Sequence, residues 1–220
     1  MPLTYIHHSC FAYSDPSFLL VYDYWRDPKG RLQPLLDEAL AQKKAVYFAI
    51  SHFHEDHFNP DIPEWCQQHQ QWHLLPSYDT VRRRRIDKSL PLAVLRFGEV
   101  VETPHFVLHA YRSTDVGVST VTVLRDGTAL YHAGDNNNWY FTDEDNPDAD
   151  RVKVSLNQME KLYLSTLRDI RKDFSHIDHA MIPVDPRLEQ EMLRGLFQFL
   201  KTFSVGQLHP MHFCLPQEET

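Results

Sequence analysis

The first half of the chain alternates short apolar runs with polar turns. The run Ala-Val-Tyr-Phe-Ala-Ile over residues 45–50 is short and continuous, which predicts a buried strand. Similar runs predict further strands near residues 3–7, 10–14, 18–23 and 72–75. The polar pattern between them predicts helices near residues 34–42 and 60–70, the second of which follows Pro60.

The second half begins with an almost entirely β-type pattern and ends with alternating helices and strands. Strands are predicted near residues 92–96, 105–111, 117–124 and 128–133, with a hairpin turn at Asp126-Gly127 between the last two. Apolar residues at helical spacing then predict a helix over 153–173, followed by strand 178–183, helix 187–201 and strand 205–209. Residues 136–150 are long and without periodicity, so we predict a functional loop or lid there.

The organisation of the chain favours a single unit. The 220 residues contain no internal repeat and no linker, so we expect one domain spanning residues 1–220. Strand-rich halves that each end in helices indicate an α/β or α+β class. Periodicity alone does not distinguish these two classes.

Composition excludes several functional classes. The hydrophobic fraction of 42% and the charged fraction of 24% are ordinary for a globular protein. We expect no membrane association, because no apolar run approaches the roughly 18 residues of a transmembrane helix. The beginning of the sequence lacks the features of a signal peptide, and the three cysteines lack a Cys-X-X-Cys spacing, so we expect reduced thiols and a cytoplasmic location.

Net charge argues against nucleic acid as a partner. The formal charge is −8, whereas phosphate contacts favour clustered lysine and arginine. The exception is the run of four arginines at residues 82–85, which lies on a predicted helix. Consecutive helical residues point in four directions, so we expect a solvated helix here rather than an RNA-binding face.

The chemistry of the chain is concentrated in Ser51-His52-Phe53-His54-Glu55-Asp56-His57, directly after the predicted strand at residues 45–50. In an extended segment, His52, His54 and Asp56 project to one side. A turn, which Asn59-Pro60 indicates, brings His57 to the same pocket. Imidazole and carboxylate together suit divalent zinc, manganese or iron, so this block predicts a metal site.

The block resembles the His-X-His-X-Asp-His signature of the metallo-β-lactamase superfamily. Three further segments resemble that superfamily's landmarks in the right order: Tyr5-Ile6-His7-His8-Ser9-Cys10-Phe11, Tyr131-His132-Ala133-Gly134-Asp135 and Pro210-Met211-His212-Phe213. The resemblance covers most of the chain and implies a four-layer αββα sandwich.

The resemblance also implies a site for two divalent metal ions, with zinc foremost and manganese or iron as alternatives. His52 and His54 would hold the first ion, and Asp56, His57 and His212 would hold the second. Asp135 would bridge the two ions.

One histidine of the family pattern is missing from this chain. Where the family presents another ligand of the first ion, the sequence reads Tyr111-Arg112-Ser113-Thr114-Asp115-Val116-Gly117. Three explanations stay open: Asp115 substitutes as an oxygen ligand, His109 or His8 reaches the metal instead, or the first site is incomplete. Asp115 would favour a harder ion such as manganese. The Ser-Thr-Asp segment also fits a turn in which side chains bond their own backbone.

The function implied by the resemblance is hydrolysis of a small ester, thioester, lactone or phosphoester, with an anionic substrate among the options. Asp56, His8 and Asp135 are the candidate catalytic residues, with Tyr140 as a further candidate proton donor. His8 fits a ligand, a proton donor or a hydrogen-bond partner of a ligand. Asp185 and Arg187 fit either a helix cap with a solvated arginine or an anion site. The alternatives to a hydrolase are an iron-containing redox protein on the same fold and a non-catalytic binding module with an incomplete metal site.

Overall fold

The computed structural model describes residues 2–141 and 156–213, which form two β-sheets with helices around them. The first sheet contains β1 (Leu3–His7), β2 (Cys10–Ser14), β3 (Phe18–Tyr22), β4 (Ala45–Ile50) and β5 (Trp72–Pro76). The second sheet contains β6 (Val100–Glu102), β7 (Phe106–Arg112), β8 (Val118–Leu124), β9 (Ala129–His132), β10 (His176–Pro183) and β11 (Ser204–Met211). The helices are α1 (Gln33–Ala41), α2 (Ile62–Gln68), α3 (Tyr78–Arg83), α4 (Leu156–Asp173) and α5 (Arg194–Thr202).

Each sheet combines an antiparallel part with a parallel part. The first sheet has the order β1-β2-β3-β4-β5, and its pairing is antiparallel up to β3 and parallel from β3 to β5. The second sheet has the order β11-β10-β9-β8-β7-β6, with parallel pairing among β9, β10 and β11. The carboxyl ends of the parallel strands therefore meet at one edge of each sheet. A backbone hydrogen bond from His212, after β11, to His8, after β1, joins these edges.

Alternation along the strands produces four layers. In β3, Phe18, Leu20 and Tyr22 belong to the core that the two sheets share, whereas the side chains between them pack toward α1 and α2. In β9, His132 stacks on Tyr22 of the first sheet with ring centroids 4.8 Å apart, while the adjacent Tyr131 stacks on Phe199 of α5 at 4.8 Å. The predicted αββα sandwich is therefore confirmed.

Two predicted elements differ from the structure. The strand predicted over residues 92–96 is wrong, because only Leu92 and Leu95 form isolated bridges, three residues apart and thus not in strand alternation. The edge strand β6 escaped prediction because two of its three residues are exposed and give no apolar pattern. The helix predicted over 187–201 is divided into a 3₁₀ segment, Pro186–Glu191, and α5, since Glu189 has a positive φ of 49°.

Some predictions lie partly outside the described residues. The long loop predicted over 136–150 is described as far as residue 141, and the described part of the helix predicted over 153–173 is α4. Cys10 and Cys66 are buried free thiols, whereas Cys214 lies outside the described residues. No helix in the described ranges has both the length and the apolar character needed to cross a membrane.

A glycine allows two loops to pack closely at the edge where the sheets meet. Gly117, before β8, has a φ of +74°, and a Cβ placed there would meet the backbone oxygen of Ser51 and lie 2.6 Å from the Cβ of His52. The next residue, Val118, donates its backbone N–H to that same oxygen at 3.0 Å. A side chain at residue 117 would therefore push apart the loops that carry His52 and Asp115.

We predict that Gly117→Ala destabilises the protein far more than Gly98→Ala. Gly98 has a similar φ of +79° but open space around it. Alanine there lowers the free energy of unfolding only through the unfavourable left-handed backbone conformation, by about 1–2 kcal/mol. At residue 117 the clash adds to that cost, and we expect a total above about 3 kcal/mol. Chemical unfolding of both variants measures the difference. Equal losses of stability would show that the contact with Ser51 does not constrain the fold.

Candidate metal centre

Two clusters of histidine and aspartate lie side by side at the edge where the sheets meet. In each cluster, one candidate ligand atom from every member lies within 4.8 Å of the others. The first cluster consists of His52, His54, Asp115 and Asp135. The second cluster consists of His8, Asp56, His57 and His212. The structure thus brings together all seven predicted metal ligands, and it places His8 beside them.

In the first cluster, Asp115 occupies the place where the family pattern has a histidine. Its Oδ2 lies 3.3 Å from Nδ1 of His54 and 3.8 Å from Nε2 of His52. The alternative candidate His109 lies on β7 with its ring against the edge of Phe174, at a centroid distance of 5.1 Å. Of the alternatives for completing the first site, His109 lies apart from the centre: its side chain packs against Phe174, after α4, and it belongs to neither cluster.

The loop that carries Asp115 is fastened to the loop that carries Asp135. Thr114 Oγ1 accepts a hydrogen bond from the backbone N–H of Asn137 at 2.9 Å and lies 2.7 Å from the carbonyl oxygen of Asn137. Ser113 Oγ accepts the backbone N–H of Asp115 at 3.2 Å, so the turn expected from the Ser-Thr-Asp sequence is also present. Asp115 can therefore belong to a hydrogen-bonded turn and still place its carboxylate in the first cluster.

In the second cluster, the Asp56 carboxylate lies among three imidazoles. Its Oδ2 is 3.1 Å from Nε2 of His8, 3.6 Å from Nε2 of His57 and 3.9 Å from Nε2 of His212. Burial would raise the pKa of Asp56, but the hydrogen bond from His8 and the positive potential of His57 outweigh it and hold that pKa well below its usual range. Asp56 is thus an ionised carboxylate that contacts the histidines of the second cluster and also remains partly exposed to solvent, since its side chain is 36% accessible.

Asp135 lies between the two clusters. Its Oδ2 is 3.6 Å from Nε2 of His52 in the first cluster and 3.5 Å from Nε2 of His212 in the second. Its Oδ1 is 3.2 Å from Nε2 of His57. One carboxylate therefore reaches histidines of both clusters, which is the position that a bridging ligand requires.

The spacing and the unsatisfied atoms of the centre fit divalent metal ions. Two atoms that each lie 2.0–2.1 Å from one tetrahedral ion are about 3.3 Å apart. Most of the nitrogen–oxygen distances given above are close to this value. Among the buried atoms without a hydrogen bond are His52 Nε2, His57 Nε2 and Asp135 Oδ1, three atoms that point into the centre. Buried polar atoms rarely remain unpaired unless a water or an ion completes them.

The outer nitrogens of three histidines, His52, His57 and His212, already have hydrogen-bond partners, so their inner nitrogens are available as ligands. His57 Nδ1 donates to Asp23 Oδ2 at 2.8 Å, and His212 Nδ1 donates to Asp185 Oδ2 at 2.9 Å. His52 Nδ1 lies 2.9 Å from Ser51 Oγ, whose own proton is given to Asp23. In each case Nε2 is left to face the centre, the arrangement that metal-binding histidines show when a second group fixes the ring.

The electrostatics of the centre follow from its buried carboxylates. Burial lowers the pKa of His57 and of His212, but the neighbouring carboxylates together outweigh it, Asp135 and Asp23 at His57 and Asp135 and Asp185 at His212. They raise the pKa of His57 well above its usual value and the pKa of His212 to about 9. Burial of Asp115, together with the charge of Asp135, raises the pKa of Asp115 to about 6. Burial lowers the pKa of His52 to about 3. The carboxylates thus create a negative potential that favours a cation.

Asp185 and Arg187 support the second cluster instead of forming a separate anion site. Asp185 Oδ1 accepts the backbone N–H of Arg187, as expected for a cap, and its carboxylate also accepts hydrogen bonds from the Arg187 guanidinium. Because Asp185 Oδ2 is also bonded to His212, the arginine acts through Asp185 on the centre. The ring of Tyr140 packs against α5, where the Arg194 guanidinium lies 4.0 Å from its centroid.

Sequence reasoning missed the role of Asp23. This residue follows β3 and is 1% exposed, and its carboxylate accepts hydrogen bonds from Ser51 and His57. The available signal was a lone acidic residue at the end of an entirely apolar run, beside the strand that delivers the histidine block. His132, the last residue of β9, also lies near this carboxylate, with its Nδ1 3.8 Å from Asp23 Oδ2.

Comparisons with known proteins identify the fold. No protein-family model and no curated protein matches the sequence. Among solved structures, a metallo hydrolase from the archaeon Ignicoccus hospitalis, Igni18, is 18% identical with a TM-score of 0.63, covering 98% of this chain and 87% of its own. The metallo-β-lactamase fold protein YhfI from Bacillus subtilis is 11% identical with a TM-score of 0.54, over 94% and 79% of the two chains. The chain therefore has the metallo-β-lactamase fold that the resemblance predicted.

A third similar structure is described as an oxygenating enzyme. CmlA, a diiron β-hydroxylase from Streptomyces venezuelae, is 11% identical with a TM-score of 0.58 over 96% of this chain. This chain spans 44% of the length of CmlA. The same fold is thus found in proteins described as a hydrolase and as an oxygenating enzyme, and the fold alone does not distinguish the two.

We predict that Asp135→Ala removes both metal ions from the purified protein. A carboxylate that serves both clusters leaves each one short of a ligand when it is lost, and the absence of bound metal should also lower the melting temperature. Elemental analysis after purification without chelator measures the stoichiometry, with Asp37→Ala on the exposed side of α1 as the control. Retention of one full equivalent of metal would make Asp135 a ligand of one ion only.

We predict that Asp115→Ala empties the first cluster and leaves the second one filled. The substitution removes the oxygen closest to His54, whereas the second cluster contains no atom of residue 115. Asp115→His should instead retain both ions and shift the preference from manganese towards zinc, because a neutral nitrogen replaces a hard anionic oxygen. Metal stoichiometry under competition between the two ions tests both variants. Unchanged stoichiometry in Asp115→Ala would leave Asp115 as a turn residue.

Proposed function

We propose that the protein is a metal-dependent hydrolase that acts on a small ester, thioester, lactone or phosphoester. The observation that carries the proposal is the pair of histidine–aspartate clusters that share Asp135, with unsatisfied ligand atoms facing inward. Divalent ions in such a pair of sites supply an acidified water and stabilise the negative charge that develops on the substrate. In this proposal the first ion is held by His52, His54 and Asp115, the second by Asp56, His57 and His212, and Asp135 serves both.

His8 is suited to move a proton at this centre. Its Nε2 bonds Asp56 Oδ2 at 3.1 Å, and its ring centroid is 4.2 Å from that of His212. Its Nδ1 is buried without a hydrogen bond. A histidine placed in this way can pass a proton to a leaving group while Asp56 holds the ring. In the proposal, Asp56 has two roles, as a ligand and as the group that orients His8.

Two tryptophans provide apolar surface beside the second cluster. Trp25 lies with its ring 6.0 Å from that of His8, at an interplanar angle of 76°. Trp139 lies 5.5 Å from the ring of His212, and its Nε1 donates to the backbone oxygen of Asp135 at 2.9 Å. Apolar walls of this kind exclude water around the polar groups of a site and strengthen their electrostatic effect.

A second candidate function is redox chemistry at an iron-containing centre. The specific observation is the composition of the first cluster, in which two carboxylates accompany two histidines. Such oxygen-rich sets suit iron, and the similar fold of CmlA is described as that of a diiron enzyme. The two functions predict different metals in the purified protein.

Metal content and His8→Gln together test the hydrolase proposal. Zinc or manganese near two equivalents, with turnover of a p-nitrophenyl ester, a thioester, a lactone or a bis-aryl phosphodiester, would support it. His8→Gln should keep both ions and lose about 10²–10⁴-fold in kcat if His8 transfers a proton. The control is His176→Gln, because His176 is half-exposed on β10, outside both clusters.

Two outcomes would contradict these assignments. Iron as the only metal, with no hydrolysis of any of the four substrate classes, would favour the redox protein. Loss of one ion in His8→Gln would make His8 a ligand and remove it as the proton donor.

A further inference from the structure

A groove of arginine and aromatic side chains leads away from the first cluster across α3. The part that includes a residue of the first cluster is lined by Phe53, His54, Glu55, Arg83 and Arg84. The distant part is lined by Phe53, Tyr78, Asp79, Arg82, Arg83 and Val116. Phe53 and Arg83 line both depressions, so the two lie side by side and are together called the groove below, and a candidate metal ligand, His54, lines the first of them.

The wall of this groove is built from the same loops as the metal centre. Phe53 lies between His52 and His54, and Val116 directly follows Asp115. The backbone of Phe53 is held from both sides, because its N–H donates to Asp79 Oδ2 at 3.2 Å and its carbonyl accepts from Arg84 Nε at 2.8 Å. The groove is therefore fixed in position relative to the first cluster.

Two arginines of the groove are exposed and have no acidic partner. Arg82 and Arg83 form no ion pair with any carboxylate in the described parts of the chain, although the protein carries a net charge of −8. Their contacts are aromatic: the Arg82 guanidinium is 5.8 Å from the ring of Tyr78, and that of Arg83 is 5.4 Å from the ring of Phe53. Arg96 covers Tyr78 more closely, at 4.0 Å.

This arrangement suits a ligand with a negative group and an apolar or planar part. A guanidinium beside a ring keeps its N–H edge available for two parallel hydrogen bonds to an oxyanion. The acidic groups of the groove weaken its field only partly: Asp79 already accepts the Phe53 N–H, and Glu55 lies beside His54. Tyr78 is 44% exposed, so the part of its side chain that Arg96 leaves uncovered offers surface for the uncharged part of a ligand.

We propose that this groove binds a phosphate group of the substrate, at a distance from the bond that is cleaved at the metal centre. Arg82 and Arg83 bind the phosphate, and Phe53 and Tyr78 contact the part of the molecule between the phosphate and the scissile bond. The cleavage part of this proposal rests on the proposed hydrolase function, whereas the binding part does not.

The test measures binding of inorganic pyrophosphate by calorimetry at low salt, in the parent and in Asp135→Ala. Pyrophosphate also binds metal ions, so the Asp135→Ala background separates the groove from the metal centre. In both backgrounds Arg82→Gln/Arg83→Gln should weaken binding at least about tenfold, which corresponds to the loss of one charge-assisted pair of hydrogen bonds. Arg82→Lys/Arg83→Lys should fall between, because lysine keeps the charge and loses the planar fork.

The control is Arg85→Gln/Lys88→Gln, which removes two exposed positive charges shortly after α3 that do not line the groove. It should change the affinity less than twofold. Backbone amide NMR shifts should also locate the pyrophosphate at Phe53 and Tyr78, independently of any variant.

Several results would overturn the proposal. If the control variant weakens pyrophosphate binding as much as Arg82→Gln/Arg83→Gln does, the effect reflects the overall positive charge and not these two arginines. Binding that disappears in Asp135→Ala, with no shifts at Phe53, would place pyrophosphate on the metal ions. Equal affinity for succinate would show that the groove binds dianions in general and has no preference for phosphate. Tighter binding of a single-stranded RNA would show that the groove is a nucleic-acid site.

The two parts of the proposal can fail separately. If pyrophosphate binds in the groove but none of the substrates is hydrolysed, the proposed hydrolase function is rejected and the phosphate site is retained.

Discussion

The candidate centre depends on one buried charge, the carboxylate of Asp23. It accepts hydrogen bonds from the backbone N–H of Ser51 at 2.7 Å, from Ser51 Oγ at 2.6 Å and from His57 Nδ1 at 2.8 Å. Burial alone would raise its pKa, but His57, His132 and His52 together outweigh burial and lower it. A buried carboxylate is tolerated only when its oxygens are satisfied in this way. By meeting that requirement, Asp23 joins the ends of β3 and β4 and aims His57 at the centre.

The remaining ligands are held by the same principle, and some of them at a conformational cost. Ser51 holds His52 and Asp185 holds His212, so a hydrogen-bonding partner behind the ring restricts each of these histidines. Asp23, His8 and His212 all have positive φ angles, of 45°, 51° and 62°. Such angles cost a non-glycine residue about 1–3 kcal/mol each and persist only where surrounding contacts impose them. The packing of the two sheets and the contacts of the site therefore hold these three residues in backbone conformations that are unfavourable by themselves.

The parts of this site that could be predicted from sequence are those encoded by neighbouring residues. His52, His54, Asp56 and His57 follow one buried strand, and strand alternation together with a turn is enough to bring them together. Asp135 and His212 were placed through the family resemblance, because each ends a strand of the other sheet and nothing local connects them. The partnership of Asp23 with His57 spans 34 residues and that of His8 with Asp56 spans 48, so no periodicity reports them.

The exposed edge strand β6 and the broken helix at Glu189 were missed for a related reason. Apolar periodicity reports burial, and β6 is mostly exposed. The break at Glu189 is a backbone event in a segment whose residue types also suit a helix, and its φ of 49° has no simple sequence signature. The arginine run was expected to lie on a solvated helix, but α3 ends at Arg83, and Arg85 is exposed in the turn that follows, with a φ of 53°. Arg83 and Arg84 differ because the histidine loop folds against them, a contact that only the tertiary structure defines.

The absence of the family's usual histidine changes the chemical character of the first half of the centre. Asp115 supplies a hard oxygen there in place of an imidazole nitrogen, so the first cluster has two imidazoles and two carboxylates. With Asp135 shared and His8 kept as the proton donor, the second ion is also assigned two imidazoles and two carboxylates. The arginine groove is lined by His54, a member of the first cluster. Positive guanidinium groups beside an acidic cluster offset part of its field and make the approach of an anion less unfavourable. The substitution at residue 115 and the arginines of α3 are therefore best understood as two parts of one electrostatic arrangement.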